Sequence, residues 1–273
     1  MTGVPPLTWL YVPGDRTEVV AKALGSGADV VIVDLEDAVA EDRKEYARSA
    51  TAELLAARPA VPVHVRVNAL DSPWAEADLR ALSGLRGVSG LRLPKVSDPG
   101  EVVRVADRTG GTGLYPLLES ALGIERAYEI ARAHPAVRGL ALGEADLGAE
   151  LGVLAEEGLG WARSRVVVAA RAAGLPSPAQ SVYPHVHDLD GLAASCLRGR
   201  VLGFLGRAAI HPRQLPVIER AYLPSAAEVD AARAVVDRAR AAPGASALPD
   251  GRFVDPAVVA AAHRVLSLSA RHR

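Results

Sequence analysis

The chain holds one cysteine, Cys196, one methionine and only two phenylalanines among its 273 residues. A single cysteine excludes an intramolecular disulfide and suits a reducing compartment. No apolar run approaches the roughly 18 residues that a helix needs to span a bilayer. The opening Met1-Thr-Gly-Val-Pro-Pro6 lacks a basic region followed by an apolar core, so no secretory leader is expected and the location is expected to be cytoplasmic. An excess of either charge is also missing. Lys and Arg total 31 against 32 Asp and Glu, interspersed, which gives a net charge of −1 and no electrostatic footprint for nucleic acid. There is no P-loop and no dinucleotide fingerprint, since Gly143-Glu-Ala-Asp-Leu-Gly148 lacks the required glycine spacing.

What is present is a rhythm of short apolar runs, each ending in a chemically loaded tip. In order, the tips are Tyr11-Val-Pro-Gly-Asp-Arg16, Val33-Asp-Leu-Glu-Asp37, Val65-Arg-Val-Asn68, Leu93-Pro-Lys95, Leu117-Leu-Glu119 and Leu142-Gly-Glu-Ala-Asp146. Each follows a β-like run and precedes a helix-like stretch. A chain of this length suits one parallel (β/α)8 barrel of roughly 250 residues, in which all strand C-termini meet at the face that holds the active site. The expected strands are 8–12, 29–34, 61–67, 90–94, 113–118, 139–142, 179–183 and 201–206. The Val/Ile run at 29–34 fits a strand buried on both faces. A loop is expected near 148–160. A C-terminal helical extension follows the barrel. Ser225 with Glu228 reads as a capping box for a helix over 225–241, and a Pro/Gly/Ser break then precedes an apolar helix to 268. The boundary is drawn at 1–241 for the barrel and 242–273 for the extension, whose apolar stripe would pack on the barrel or on a neighbouring subunit.

Glu119 and Asp146 come from adjacent strand ends. Two carboxylates without a convincing histidine fit Mg2+ better than Zn2+, because Mg2+ takes one or two carboxylates and leaves its other positions to water and substrate. The competing reading is that each carboxylate caps the following helix. Arg66, at an apolar strand end, must meet an anion to offset its desolvation. That anion is either a substrate carboxylate or Glu36 or Asp37. Asp34, Glu36 and Asp37 cannot all ionise cheaply without cations, so they would orient Arg66, Lys95 or metal-held water. Lys95 would stay protonated in acidic surroundings, which disfavours Schiff-base chemistry. His185-Val-His187 beside Asp188, together with His211, is weak as a metal site and reads better as a hydrogen-bonding group.

Taken together, the order and spacing of these motifs resemble the citrate lyase β-subunit-like branch of the HpcH/HpaI aldolase family, whose members include citryl-CoA, malyl-CoA and citramalyl-CoA lyases. The matching stretches run from about Leu10 to Leu266. They include the tips above, Lys44 with Ala47-Arg48, Ala209-Ile-His-Pro-Arg-Gln-Leu215, Ala221-Tyr-Leu-Pro-Ser225 and Gly251-Arg-Phe-Val-Asp255. The resemblance implies a Mg2+-dependent lyase that cleaves, or forms, a 3-hydroxyacyl-CoA from an acyl-CoA and a 2-oxo acid or glyoxylate. It implies Glu119 and Asp146 as metal ligands, and Arg66, Glu36 and Asp37 in the catalytic centre. Arg16, Arg66, Lys95, His211 and Pro212 would contact substrate or CoA, and Asp255 would be supplied to a neighbouring subunit of a trimer as acid or base. Alternatives are a CoA-free aldolase for 2-oxo acids and a non-catalytic acyl-CoA or oxo-acid binder. Four departures touch the pocket or its rim, one being that Pro256 follows Asp255 directly rather than after one residue. Gly143-Glu-Ala-Asp-Leu147 stands where the family often has Gly-x-Glu-Asp-Leu, Ser97 replaces a glutamate, and His185 stands near a family aspartate.

Overall fold

The computed structural model describes residues 5–241, 246–248 and 251–272, which fall into two compact units. The larger unit, 7–219, alternates strands and helices: β1 (Thr8–Pro13), α1 (Thr17–Leu24), β2 (Val30–Asp34), α2 (Lys44–Ala56), β3 (Val63–Arg66), α3 (Ala75–Leu82), β4 (Val88–Leu93), α4 (Pro99–Ala106), β5 (Leu114–Leu118), α5 (Ala121–Glu125), α6 (Ala127–Ala131), β6 (Ala141–Leu142), α7 (Glu144–Leu151), α8 (Gly160–Ala172), α9 (Leu189–Val201) and β7 (Arg207–Ala209). The strands form one parallel sheet in the order β6-β5-β4-β3-β2-β1-β7. Every strand therefore delivers its C-terminal tip to the same edge. All five residues of β2 are buried, as its Val/Ile run predicts for a central parallel strand.

Cross-strand register decides which side chains meet. Tyr11 pairs with Ile32, Ile32 with His64, Asp34 with Arg66, Arg66 with Arg92, and Arg92 with Tyr115. Register partners in a parallel sheet point to the same side, so this face carries an unusual share of polar groups above an apolar patch of Trp9, Val30, Ile32 and Ala208.

The structure departs from the sequence reading in three places. The seventh expected strand is reduced to one parallel bridge, Gln180 with Arg207. The eighth lies at Arg207–Ala209 instead of 201–206. The side chain of Asp188 caps α9 by accepting the Gly191 N–H, and the helix runs on to Val201, which is exposed rather than part of a sheet core. Gly203, at φ 93°, then turns the chain into β7. The loop expected near 148–160 begins instead as the end of α7, whose last turn is closed by left-handed Gly152.

The smaller unit, made of 220–273 with 1–6, contains α11 (Ala226–Ala241), an antiparallel pair β8 (Ser246–Ala247) and β9 (Phe253–Val254), and α12 (Pro256–Ser269). The helix α10 (Leu215–Tyr222) spans the boundary between the units. The core of the smaller unit is Ala232, Val235, Val236, Leu248, Val254 and Ala262. The capping box is present: the Ser225 N–H donates to Glu228 at 2.8 Å and the Glu228 N–H donates to Ser225 Oγ at 3.2 Å. No helix among the described residues is long and apolar enough to cross a membrane.

Candidate active site

Arg66 ends β3 and is held by the tip of β2. Its Nε and Nη2 donate to the two carboxylate oxygens of Asp34 at 2.7 and 2.6 Å, while Nη1 lies 3.0 Å from Glu36 and 3.2 Å from Asp37. Burial opposes the charge on Arg66, but the bidentate bond and charge of Asp34, with Tyr11 and Glu36 behind them, together outweigh it and fix the guanidinium in the charged form. Asp34 is itself buried and accepts the backbone N–H groups of Glu36 and Ala38, so the tip folds around its carboxylate. Arg66 thus meets protein carboxylates, the Glu36 and Asp37 named from the sequence and, most closely, Asp34.

Lys95 follows β4 and bonds to Glu36 at 3.0 Å, with Asp37 3.9 Å away. Burial lowers its affinity for a proton, but the bond to Glu36 and the charges of Glu36, Asp37 and Glu119 together more than compensate, so it stays an ammonium. That favours an electrostatic role over a Schiff base. Lys95 is also the sole non-glycine residue with positive φ, 55°, among those described. Such a conformation costs roughly 1–2 kcal/mol, and here it accompanies a hydrogen bond from the Lys95 backbone N–H to Glu119 Oε2 at 2.9 Å.

Glu119 is 6% exposed. Burial, with the charge of Glu36 next in weight and that of Asp146 behind it, pushes its carboxyl up to about 7 against the opposing Lys95 N–H. Burial raises Glu36 as well, against the pull of Arg66. Asp146 is exposed in the first turn of α7. Gly143, just before α7, lets Glu119 into place, because an added Cβ would overlap Cγ and Oε1 of Glu119.

Asp34, Glu36, Asp37, Glu119 and Asp146 outnumber Arg66, Lys95 and the buried Lys44 by two. An acidic pocket of this kind, with a carboxyl held half-protonated near neutrality, is what a divalent cation relieves. Among the described residues no three His, Cys, Asp or Glu side chains gather as a cage for a metal ion. The carboxylates of Glu119 and Asp146 are hard oxygen donors of the kind that suits Mg2+.

The remaining predicted residues are dispersed. Arg16 is exposed between β1 and α1. His211 and Pro212 follow β7 at the same sheet edge. There the His211 ring accepts the Arg213 N–H, and Arg213 Nη1 meets the His187 ring at 2.9 Å. His185 lies against Tyr183, whose hydroxyl donates to Asp188 at 2.6 Å, so the histidine-rich loop is a hydrogen-bonded surface structure. Asp255 belongs to the smaller unit, where its side chain caps α12 by accepting the Val258 N–H at 2.9 Å. Glu144, the displaced acid of the strand-six motif, is held in a two-pronged ion pair with Arg163.

Two contributors were missed. Lys44 is buried and donates to the carbonyls of Leu35 and Glu36 at 2.8 and 2.7 Å, pinning the β2 tip that holds Arg66. The sequence offers it as a motif residue and as a basic group favouring CoA, not as a buried donor. Arg92, one strand from Arg66, is the other: Leu91-Arg-Leu93 repeats the charged-in-apolar pattern of Val65-Arg-Val67.

Residues 7–212 match the HpcH/HpaI aldolase/citrate lyase family. A (3S)-malyl-CoA thioesterase of Cereibacter sphaeroides is 36% identical, with 94% of this chain and 92% of that protein covered. The citrate lyase subunit beta of Escherichia coli is also 36% identical, covering 94% of this chain and 91% of its own. Among solved structures, CitE from Mycobacterium tuberculosis in complex with magnesium, acetoacetate and coenzyme A superposes with a TM-score of 0.84 at 33% identity, over 97% of this chain and 98% of that one. The citrate lyase beta subunit of the same organism with oxaloacetate and magnesium gives 0.69 at 33% identity, covering 80% and 97%. The loaded strand tips, the acid-rich pocket that they build and these likenesses agree: the chain belongs to the HpcH/HpaI aldolase/citrate lyase family.

Proposed function

We propose that the protein is a Mg2+-dependent carbon–carbon lyase that cleaves, or forms, a 3-hydroxyacyl-CoA such as malyl-, citramalyl- or citryl-CoA. The observation that carries this reading is the buried Glu119, raised to about 7 in a pocket where carboxylates outnumber their cations. Glu119 and Asp146 would hold Mg2+, which when bound supplies Lewis-acid stabilisation for negative charge developing on a substrate oxygen. Arg66 is positioned by Asp34, Glu36 and Asp37, and its remaining N–H is available to the same oxygen. Because those carboxylates fix the guanidinium beforehand, little reorganisation is needed as charge develops. Lys95 balances Glu36 and Asp37 at the pocket edge.

Cleavage of the bond between C2 and C3 of the acyl chain leaves its electron pair on C2 of the acyl-CoA enolate, while the hydroxyl passes its proton to the Asp255 carboxylate and becomes the carbonyl of the oxo acid. A proton must then reach C2. We assign that task to Asp255 of a second copy, and with it a trimeric assembly in which the 242–273 segment packs against a neighbour. Arg16, His211 and Pro212 would line the approach of the CoA nucleotide. The same reading has the parallel sheet close as a (β/α)8 barrel and the enzyme work in the cytoplasm. The test is conversion of these CoA esters by purified protein with Mg2+, with and without EDTA.

The thioesterase relatives support a second reading, hydrolysis of the thioester of a 3-hydroxyacyl-CoA. Products separate the two: a lyase yields an acyl-CoA and an oxo acid, whereas hydrolysis yields free CoA and a hydroxy acid.

A further inference from the structure

Asp146 rides on α7, a helix with little else to hold it. Only Leu147 of its eight residues is buried, and Gly143 ahead of it offers no side-chain cap. Apolar packing therefore does little to fix how the helix is turned about its own axis. Two acidic side chains do so instead. At the start of α7, Glu144 accepts both prongs of the Arg163 guanidinium, with Nε at 3.0 Å from Oε1 and Nη2 on Oε2. Near its end, Glu150 accepts the Ala121 N–H at 2.7 Å, at the head of α5 and two residues beyond Glu119.

Helical spacing makes the two tethers agree. Glu144 and Asp146 are two residues apart, about 200° of turn, so they leave α7 on opposite sides. Glu150 lies four residues beyond Asp146 and shares its side. Drawing Glu144 to Arg163 of α8 thus turns Asp146 away from α8 and towards the tip of β5, where its charge bears on Glu119.

Arg163 is built as an anchor. It is 6% exposed, and its Nη1 lies 3.1 Å from Glu156. Glu156 in turn accepts Ser195 Oγ at 3.2 Å and Arg198 at 2.8 Å, which braces the group against α9. Burial opposes the charge on Arg163, but the bonds and charges of Glu144 and Glu156 together outweigh it. Ala145, where the family often carries glutamate, is exposed, so in this chain the pairing rests on Glu144.

We propose that Arg163 is a positioning residue for the candidate metal site: its two-pronged hold on Glu144 sets the rotation of α7 and so presents Asp146 beside Glu119. This rests on the reading of Asp146 as a Mg2+ ligand. Charge alone predicts something different. Removing the cation Arg163 would tighten Mg2+ binding, and removing the anion Glu144 would weaken it. Positioning predicts that both losses weaken it.

The test is titration calorimetry with Mg2+ on the wild-type protein, Arg163→Met, Arg163→Lys, Glu144→Ala, the Glu144→Ala, Arg163→Met double variant, and Asp146→Asn. Arg163→Met and Glu144→Ala should each weaken Mg2+ about tenfold. The double variant should be no weaker than either, because both changes cut one link. Arg163→Lys keeps the charge but loses the fork, and should fall between Arg163→Met and wild type. Unchanged or tighter Mg2+ binding in folded Arg163→Met, with affinity lost in Asp146→Asn, would overturn the proposal and leave the metal reading standing. Full affinity in Asp146→Asn would remove the metal reading and this proposal with it. Should Arg163→Met fail to fold, Arg163→Lys decides, since the net charge is unchanged: severalfold weaker Mg2+ binding supports the positioning role, and wild-type affinity refutes it.

Discussion

The raised carboxyl of Glu119 ties metal affinity to pH. An ordinary glutamate near 4.5 is already ionised at neutrality, but Glu119 titrates at about 7. That difference corresponds to ~3 kcal/mol of ionisation free energy at the 1.36 kcal/mol carried by each unit. A cation that needs the carboxylate must displace the proton first. Apparent Mg2+ affinity should therefore hold level above pH ~8 and fall about tenfold for each unit below pH ~7. Proton release per Mg2+ bound should be ~0.9 at pH 6, ~0.5 at pH 7 and ~0.1 at pH 8, read by calorimetry in buffers of different ionisation enthalpy. The sign for the metal-free fold is opposite to that of a paired acid. The folded state holds this proton more tightly than the unfolded chain, so Glu119 costs stability as pH rises from 4.5 through 7, and bound Mg2+ should restore it. Glu119→Gln should abolish both the proton release and the slope. A flat Mg2+ affinity between pH 6 and 8 in the wild-type protein would refute the reasoning, because Glu119 would then either be ionised throughout or stand away from the metal.

Three further outcomes follow from the geometry. Gly143→Ala places a Cβ against Glu119, an overpacking expected to cost about 1–3 kcal/mol and to displace the carboxylate; Mg2+ affinity should drop more than tenfold while the melting temperature falls by only a few degrees. Lys44→Met strips the Leu35 and Glu36 carbonyls of a buried donor and should destabilise the fold by about 2–4 kcal/mol in urea titrations. Asp255→Asn should lower turnover and leave the mass measured by light scattering that of the proposed trimer; full activity would remove Asp255 from the chemistry, and with it the exchange between subunits.

Much of the site is legible in the sequence because parallel strands must deliver their C-terminal tips to one edge. Once the Val/Ile run of β2 is recognised, Asp34, Glu36 and Asp37 can hardly avoid Arg66, and Lys95 and Glu119 follow from the next tips. What the tips do not reveal is which partner each charge chooses. Arg66 reads equally as a ligand for substrate or for protein, and only the bidentate geometry to Asp34 decides. The strand near 201–206 was misplaced because Val201-Leu-Gly-Phe-Leu-Gly206 is as apolar as a strand. The capping Asp188 instead starts a helix that ends with Val201 turned outward. The turn at Gly148 and Gly152 hid α7, since only Gly152 is left-handed and Gly148 sits inside the helix. Arg92 was overlooked because alternation in a short strand does not by itself tell an outward charge from a buried one. Its burial depends on Tyr11 and Tyr115, which come from different strands.

The most direct measurement is a chromatographic assay of the purified protein with Mg2+ against malyl-, methylmalyl-, citramalyl- and citryl-CoA, each with an EDTA control. Condensation would be run in parallel from acetyl- or propionyl-CoA with glyoxylate, pyruvate or oxaloacetate. The lyase account predicts an EDTA-sensitive acyl-CoA and oxo-acid pair from at least one ester, lost in the Glu119→Gln, Asp146→Asn double variant with its fold intact. Free CoA and a hydroxy acid alone would point to hydrolysis, and silence across the panel from folded, Mg2+-binding protein would contradict the account.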